Sequence, residues 1–379
     1  MNFNDIDQKS TPLTLLAEGC FHTSQAKTAT GVIRYGDWII SSVIDSANQG
    51  KTVKEVTGIE NTAPVVADIK AALALNPKPK ALLIGIAPVG GALPQEWRPI
   101  LAEAISNGLD IISGLHFFLN DDNELAQLAK KHKVKLWDIR NPDIYSASAK
   151  QSVTTQKPRP ENIKVITMVG SDCNIGKMCV ALELDRLAKK QGLNSAFVAT
   201  GQTGIMISGN GIPIDRIISD FAAGAMENAI EEVIENDLSC VASAKQEAVG
   251  KLETGFIFVE GQGSLIHPGY SGVTLSLLHG SNPDAMILCH KPDRTKVYNQ
   301  YDITIPSLTK LIEIYESATQ WITNDGKKPA KVIGIALNTS AYSETEAQEL
   351  ISKAKAETKL PVTDPIRYGV EDLLNATKL

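Results

Sequence analysis

Short apolar runs recur along this chain, and between them apolar side chains return every three or four positions. In the first half the runs fall at residues 81–86, 109–115 and 134–138, with helical periodicity over 62–75, 96–107 and 123–132. In the second half they fall at 165–169, 196–200, 256–259, 286–290 and 332–337, and a shorter run at 361–367 closes the series. Helical patterns follow residue 179 and cover 226–236, 239–250 and the charged stretch 343–359. Runs apolar throughout are strands buried on both faces, and strands that alternate with helices of this length imply βαβ units and a parallel sheet. One stretch departs from this rhythm. Residues 32–35 and 38–44 are β-rich and flank Gly36-Asp37, which predicts a hairpin.

A chain of 379 residues exceeds one ordinary core, so two domains are expected. Residues 146–162 carry two prolines, many polar residues and little large apolar side chain, and they read as a linker between a first domain at 1–145 and a second at 163–379. The fold class expected is α/β with mainly parallel sheets. A net charge of −6 argues against non-specific nucleic-acid or anionic-membrane binding. No apolar run reaches the length of a membrane span, and the first residues lack the basic and apolar regions of a signal peptide. The five cysteines, at 20, 173, 179, 240 and 289, have no zinc-type spacing and no even pairing. A reduced cytoplasmic setting is the expectation, without a metal site and, by the prior for soluble enzymes, as a homo-oligomer, most often a dimer.

The most informative stretch is Gly170-Ser171-Asp172-Cys173-Asn174-Ile175-Gly176-Lys177-Met178, between an apolar strand and a helix. Backbone N–H groups, a helix N-terminus and a lysine converge there on an anion, which makes it a phosphate cradle. It departs twice from the usual G-x-x-x-x-G-K-[ST] pattern. Five residues separate Gly170 from Gly176, and Met178 stands where a hydroxyl would ligate Mg²⁺. The loop therefore predicts phosphate binding more firmly than phosphoryl transfer.

The other strand ends of the second half carry Gln202, Thr203 and Gly204; Glu260, Gln262, Gly263 and Ser264; Lys291 and Arg294; and Asn338. Parallel sheets bring such positions to one crevice. His267 and Tyr270 follow the Glu260 loop and add proton-transfer groups. Several neighbours have blander readings. Asp293 and Arg294 can simply pair with each other, Asp364 can cap a turn, and His279 and His290 can be packing residues. In the first half, the loops at 87–91 and 114–116 also sit at strand ends, but no G-x-G-x-x-G supports a dinucleotide site, and His116 reads as structural.

Together the 170–178 loop, Ala199-Thr200-Gly201-Gln202-Thr203-Gly204, Val259-Glu260-Gly261-Gln262-Gly263-Ser264-Leu265 and His267-Pro268 resemble a bacterial family once labelled only as a domain of unknown function. Its members join a Rossmann-like N-terminal domain to a P-loop NTPase-like C-terminal domain, and the loop itself is similar to that of dethiobiotin synthetases. The family includes bacterial D-glutamate N-acetyltransferases. The resemblance implies transfer of an acetyl group from acetyl-CoA to the amine of D-glutamate, a small-molecule amino-acid substrate.

That chemistry gives roles to the candidates. The 170–178 loop, with Gln202, Thr203 and Gly204, would hold the coenzyme phosphates without Mg²⁺. Glu260 is the first candidate for general base and His267 the second, because a desolvated carboxylate or an imidazole suits base work. Backbone N–H groups of residues 261–264 would form an oxyanion hole, and Tyr270 or Ser264 would protonate the leaving thiolate. Gln262, Gly263, Lys291, Arg294 and Arg34 would bind the dicarboxylate. Cys173 could carry the acyl group, since a helix N-terminus lowers a thiol pKa, but direct transfer needs no covalent step. Two other readings compete: an ATP- and Mg²⁺-dependent kinase or ligase of the dethiobiotin synthetase type, with Asp172, Glu260 and Asp215 holding the metal, and a non-catalytic nucleotide sensor. Met178 speaks against the first, and the cluster at 260–270 against the second.

Overall fold

A computed structural model describes residues 6–86, 88–142, 153–242, 253–298, 301–322 and 328–378. By contacts the chain divides into two units: residues 1–146 with 202–209, and residues 147–201 with 210–379.

The first unit is built on six strands: β1 (Pro12–Leu16), β2 (Ile39–Ile44), β3 (Val65–Val66), β4 (Ala81–Ile84), β5 (Asp110–Ser113) and β6 (Leu136–Asp138). They pair in the order β3-β2-β1-β4-β5-β6, all parallel. This is the doubly wound order, with its switch point between β1 and β4. The sequence pattern missed β1, which is the strand at that point. It begins with a proline and carries a buried polar residue, Thr14, whose hydroxyl meets that of Ser42 at 2.7 Å. Proline is tolerated as the first residue of a strand, so the pairing survives.

The expected hairpin does not form. Residues 32–35 close a helix, α1 (Lys27–Tyr35), which buries Val32 and Ile33, and the Gly36 N–H caps it on the Val32 carbonyl. The next strand, β2, pairs with β1 in parallel, which a two-residue turn cannot achieve. Residues 62–75 likewise split into β3 and a one-turn helix, Ile69–Leu73, capped by the Asp68 side chain. The later helices follow the pattern closely, as α2 (Arg98–Ser106) and α3 (Asn123–His132).

The second unit contains β7 (Ile163–Gly170), β8 (Asn194–Val198), β9 (Gly255–Val259), β10 (Ala285–His290), β11 (Lys331–Leu337) and β12 (Val362–Thr363). Their order is β12-β11-β10-β7-β9-β8, again all parallel. Strand β7 lies inside the sheet, with β9 on one side and β10 on the other. Helices α4 (Lys177–Lys190), α5 (Gln202–Ser208), α6 (Ser219–Asn236), α7 (Ser271–Ser281), α8 (Leu308–Thr319) and α9 (Glu344–Thr358) complete the main connections, α5 being counted with the first unit. Helix α8 shows why the core holds. Leu308, Leu311, Tyr315 and Ala318 recur on one face and pack with Met286, Leu288, Ile335 and Leu337. The helix expected at 239–250 is present over Ser239–Ala242, and its remainder lies outside the described residues.

The segment expected to be a linker is partly described. From Val153 onward it has no regular structure, yet it is tied down. Glu227 accepts from the N–H of Thr155 and of Lys157 at 2.7 and 2.9 Å, and Arg159 donates to the carbonyls of Ser281 and Asn282, both at 2.6 Å.

Candidate phosphate and acyl-transfer site

Strand β7 ends at Gly170, and the loop turns through two left-handed residues, Asn174 at φ 58° and Gly176 at φ 110°. Gly176 starts α4, so its backbone freedom sets the direction in which the helix N-terminus points. Lys177 is only 5% exposed, and its Nζ donates to the Asp172 carbonyl at 2.6 Å. Burial pulls its pKa below the usual lysine value, an effect partly opposed by the surrounding acidic groups.

Asp172 is the organising carboxylate. Its side chain is fully buried; Oδ1 accepts from the Cys173 N–H at 2.7 Å, and Oδ2 accepts from Arg294 at 3.1 Å and from the Tyr298 N–H at 2.8 Å. The same Arg294 nitrogen donates to the Cys173 carbonyl at 2.7 Å, and the guanidinium lies 5.3 Å from the centre of the Tyr298 ring. Arg294 thus pairs across the sheet with the loop and not with Asp293, which takes Lys291 at 3.0 Å instead. On the other side of the loop, the Ser171 hydroxyl meets His290 Nδ1 at 2.9 Å. Burial pushes the His290 pKa down to about 4, so the ring is neutral at pH 7.

Glu260 follows β9 directly. It is 6% exposed, and Oε2 accepts from the N–H groups of Thr200 and Gly201 at 2.9 and 3.2 Å. The Thr200 hydroxyl donates back to the Glu260 carbonyl at 2.9 Å, clasping the ends of β8 and β9 together. The second oxygen, Oε1, faces the Gln262 amide at 3.5 Å. The turn then passes through Gly263 at φ 59°, and among the described residues no acceptor is found for the N–H groups of Gln262, Gly263 or Ser264.

His267 is buried and held at both ring nitrogens. The Gly269 N–H donates to Nδ1 at 3.1 Å, so Nε2 carries the proton and faces the Tyr298 carbonyl at 3.2 Å. The half-exposed Tyr270 stacks on it with ring centres 4.3 Å apart, and Tyr301 meets it edge-on at 5.2 Å. Ser264 is fully buried, with its hydroxyl 3.4 Å from that of Tyr315.

Among the described residues, one group of three, Asp172, Cys173 and His267, offers ligand atoms all within 4.8 Å of one another. It fits a hydrogen-bonded cluster better than a cation site. The carboxylate is already bonded to Arg294 and two N–H groups, and burial pushes the Cys173 thiol up to about 11, so it is protonated at neutral pH. The same protonation argues against Cys173 as an acyl-carrying nucleophile.

Of the residues singled out in the sequence, the second unit brings the 170–178 loop, Glu260, Gln262, Gly263, Ser264, His267, Tyr270 and Arg294 around the carboxyl ends of β7, β9 and β10. Lys291 is half-buried after β10. Arg34, Gln202, Thr203 and Gly204 belong to the first unit. Arg34 lies on α1, Gln202 Oε1 accepts from Arg140 at 2.7 Å, Thr203 meets the Thr28 hydroxyl at 3.0 Å, and Gly204 is buried on α5. Tyr315 was not foreseen. Its hydroxyl donates to the Gly170 carbonyl at 2.6 Å and accepts from the Leu265 N–H at 3.2 Å, joining the end of the phosphate strand to the Glu260 loop. A tyrosine on the apolar face of α8 was the available signal, because a buried phenol needs a partner.

The fold and loop define a two-unit α/β protein with a P-loop in its second unit. The chain belongs to the DUF1611 family. Its P-loop domain, described as a domain of unknown function, matches residues 152–374, and the family's Rossmann-like N-terminal domain matches residues 46–142. The chain is 38% identical over 295 residues to a D-glutamate N-acetyltransferase from Pseudoalteromonas, a match that covers 78% of this chain and 80% of that one. It is 37% identical over 301 residues to a D-glutamate N-acetyltransferase from Tritonibacter scottomollicae, with the same coverage. A crystal structure of a DUF1611 family protein from Anabaena variabilis superposes with a TM-score of 0.85 at 34% identity, over 97% of this chain and 99% of that one.

Proposed function

We propose that this protein is an N-acetyltransferase that moves the acetyl group of acetyl-CoA to the amine of D-glutamate. The observation that carries the proposal is the loop itself. A phosphate cradle with a buried Lys177 continues into Met178, so it can hold a pyrophosphate but offers no hydroxyl for the metal of phosphoryl transfer. The names of two relatives, each matched over most of its length, point the same way.

In this reaction the free amine attacks the thioester carbonyl, a tetrahedral oxyanion forms, and the coenzyme leaves as a thiolate that takes up a proton. Glu260 is the best-placed acceptor for the amine proton. Its Oε2 is anchored by two backbone donors, and Oε1 faces the Gln262 amide at 3.5 Å. His267 is less suited, because both ring nitrogens are engaged, and it instead supports Tyr270. The N–H groups of residues 262–264 supply donors for the oxyanion. Tyr270, half-exposed, is the donor to the thiolate; Ser264 is too deeply buried for that task. Arg294 and Lys291 contribute positive charge for the substrate carboxylates.

The test is release of free thiol from acetyl-CoA with D-glutamate, L-glutamate and other amino acids, alongside melting curves with acetyl-CoA and with ATP–Mg²⁺. Thiol release dependent on D-glutamate is expected. Stabilisation by ATP–Mg²⁺ with none by acetyl-CoA would replace this assignment with the kinase or ligase class.

A further inference from the structure

Beside the phosphate loop, at the carboxyl ends of β10 and β11, the second unit contains a cavity of about 330 Å³. Ligand pockets span roughly 300–1,000 Å³, so this one suits a single flat ring system with its substituents. Its lining includes the apolar Ile305, Leu308, Leu337 and Leu350 together with Lys353 and Glu357 of α9, and Glu357 is engaged by the N–H and hydroxyl of Thr309 at 3.2 and 3.4 Å. It shares two walls with the phosphate loop. His290 reaches Ser171, and Arg294 reaches Asp172. None of these groups has a part in the chemistry proposed above beyond the charge of Arg294.

The sheet order fixes how cavity and loop are related. Strand β7 delivers the loop, β10 is its neighbour, and β11 is the strand after that. Neighbouring strands are about 4.8 Å apart, so the cavity lies within about 10 Å of the loop along the sheet edge. A nucleotide whose pyrophosphate is held at the loop can reach a cavity that close with its sugar and base. An apolar slot takes the faces of a purine, and a cation in the lining takes a phosphate on the sugar.

We propose that this cavity seats the adenine end of the coenzyme, with the purine between Leu308, Leu337 and Leu350 and Lys353 against the ribose 3′-phosphate. The assignment rests on the acetyl-CoA reading, but it concerns binding alone and can be measured without turnover. Coenzyme A differs from ATP in carrying that 3′-phosphate, so Lys353 would select between the two.

The probe is adenosine 3′,5′-bisphosphate, titrated calorimetrically into the full-length protein and into Leu350→Trp, which fills the slot, and Lys353→Glu, which changes an exposed residue. Binding to the parent protein is expected. Leu350→Trp should weaken it at least tenfold, and Lys353→Glu should weaken it while leaving adenosine 5′-monophosphate little changed. In turnover, Leu350→Trp should raise the KM for acetyl-CoA and leave that for acetyl-pantetheine, which lacks the nucleotide, as it was. Parental affinity for the bisphosphate in both variants, with parental melting temperatures, overturns the assignment, as does absence of binding to the parent. If no thiol is released from either thioester but the bisphosphate still binds and both variants weaken it, the cavity assignment stands and the acetyltransferase reading falls.

Discussion

Tyr315 donates a 2.6 Å hydrogen bond to the carbonyl of Gly170, the last residue of the strand that delivers the phosphate loop. The same hydroxyl receives the N–H of Leu265, so one phenol couples the loop that would bind the coenzyme to the loop that would perform the chemistry. Burial raises the pKa of this phenol, which keeps it a neutral donor. Tyr315→Phe keeps the ring and removes the coupling. It should cost about 1–3 kcal/mol in urea unfolding, because buried partners are left unsatisfied. It should also weaken acetyl-CoA binding. A variant with parental stability and affinity would show that the bridge is dispensable.

Arg294 holds Asp172, whose side chain is fully buried, at 3.1 Å. Removing one partner of such a pair costs about 3–5 kcal/mol; the low end is expected for Arg294→Ala, since the arginine is partly exposed and Asp172 keeps two N–H donors. Arg294→Lys should not rescue it, because one guanidinium nitrogen serves both the carboxylate and the Cys173 carbonyl. Chemical denaturation of the three proteins decides the matter; equal stability of Lys and Arg variants would contradict the stated geometry.

His290 predicts an acid-sensitive fold. Its pKa is about 4 in the native state, and the ordinary histidine value is 6.5. Between these values the unfolded chain binds more protons than the folded one, so stability is complete above about pH 6.5 and is lost as pH falls towards 4. The loss is at most about 3.4 kcal/mol, from 1.36 kcal/mol per pKa unit. Unfolding curves at pH 7 and 4.5 should differ by more in the parent than in His290→Gln. Identical pH dependence would remove His290 as the cause.

Glu260→Gln should lower thiol release by about 10²–10⁴-fold, the usual contribution of a positioned proton acceptor. The melting temperature should fall only modestly, since the amide retains a carbonyl oxygen for the donors of Thr200 and Gly201. His267→Gln should do the reverse, lowering stability more than turnover. Near-parental turnover in Glu260→Gln would move the base elsewhere.

Gly261 is fixed by contact and not by its own torsion. A Cβ there would sit 1.8 Å from the Met168 carbonyl oxygen and 2.9 Å from the Lys177 side chain. Gly261→Ala should therefore destabilise by about 4 kcal/mol or more, among the largest single-residue effects. Soluble expression with a parental melting temperature would refute the close approach.

Much of this was already written in the chain. The apolar runs at 165–169, 256–259, 286–290 and 332–337 are β7, β9, β10 and β11 because a strand buried on both faces must be apolar throughout. The phosphate loop was legible because its glycines and lysine are contiguous, so backbone geometry alone builds the cradle. Strand β1 was not legible, since its five residues begin with proline and include a buried threonine that depends on Ser42. The false hairpin at Gly36-Asp37 has the same origin. Local β preference at 32–35 yields to burial of Val32 and Ile33 on a helix.

The sequence by itself determined the class of fold, the order of most elements and the phosphate loop, because these follow from periodicity and from residues adjacent in the chain. Only the tertiary structure decided who pairs with whom. Arg294 takes Asp172, 122 positions away, and leaves Asp293 to Lys291. It placed Tyr315 145 positions from the carbonyl it serves, and it put Gln202, Thr203 and Gly204 with the first unit although they follow a strand of the second. Such choices depend on which side chains are desolvated together when the sheets close, and no local pattern carries that information.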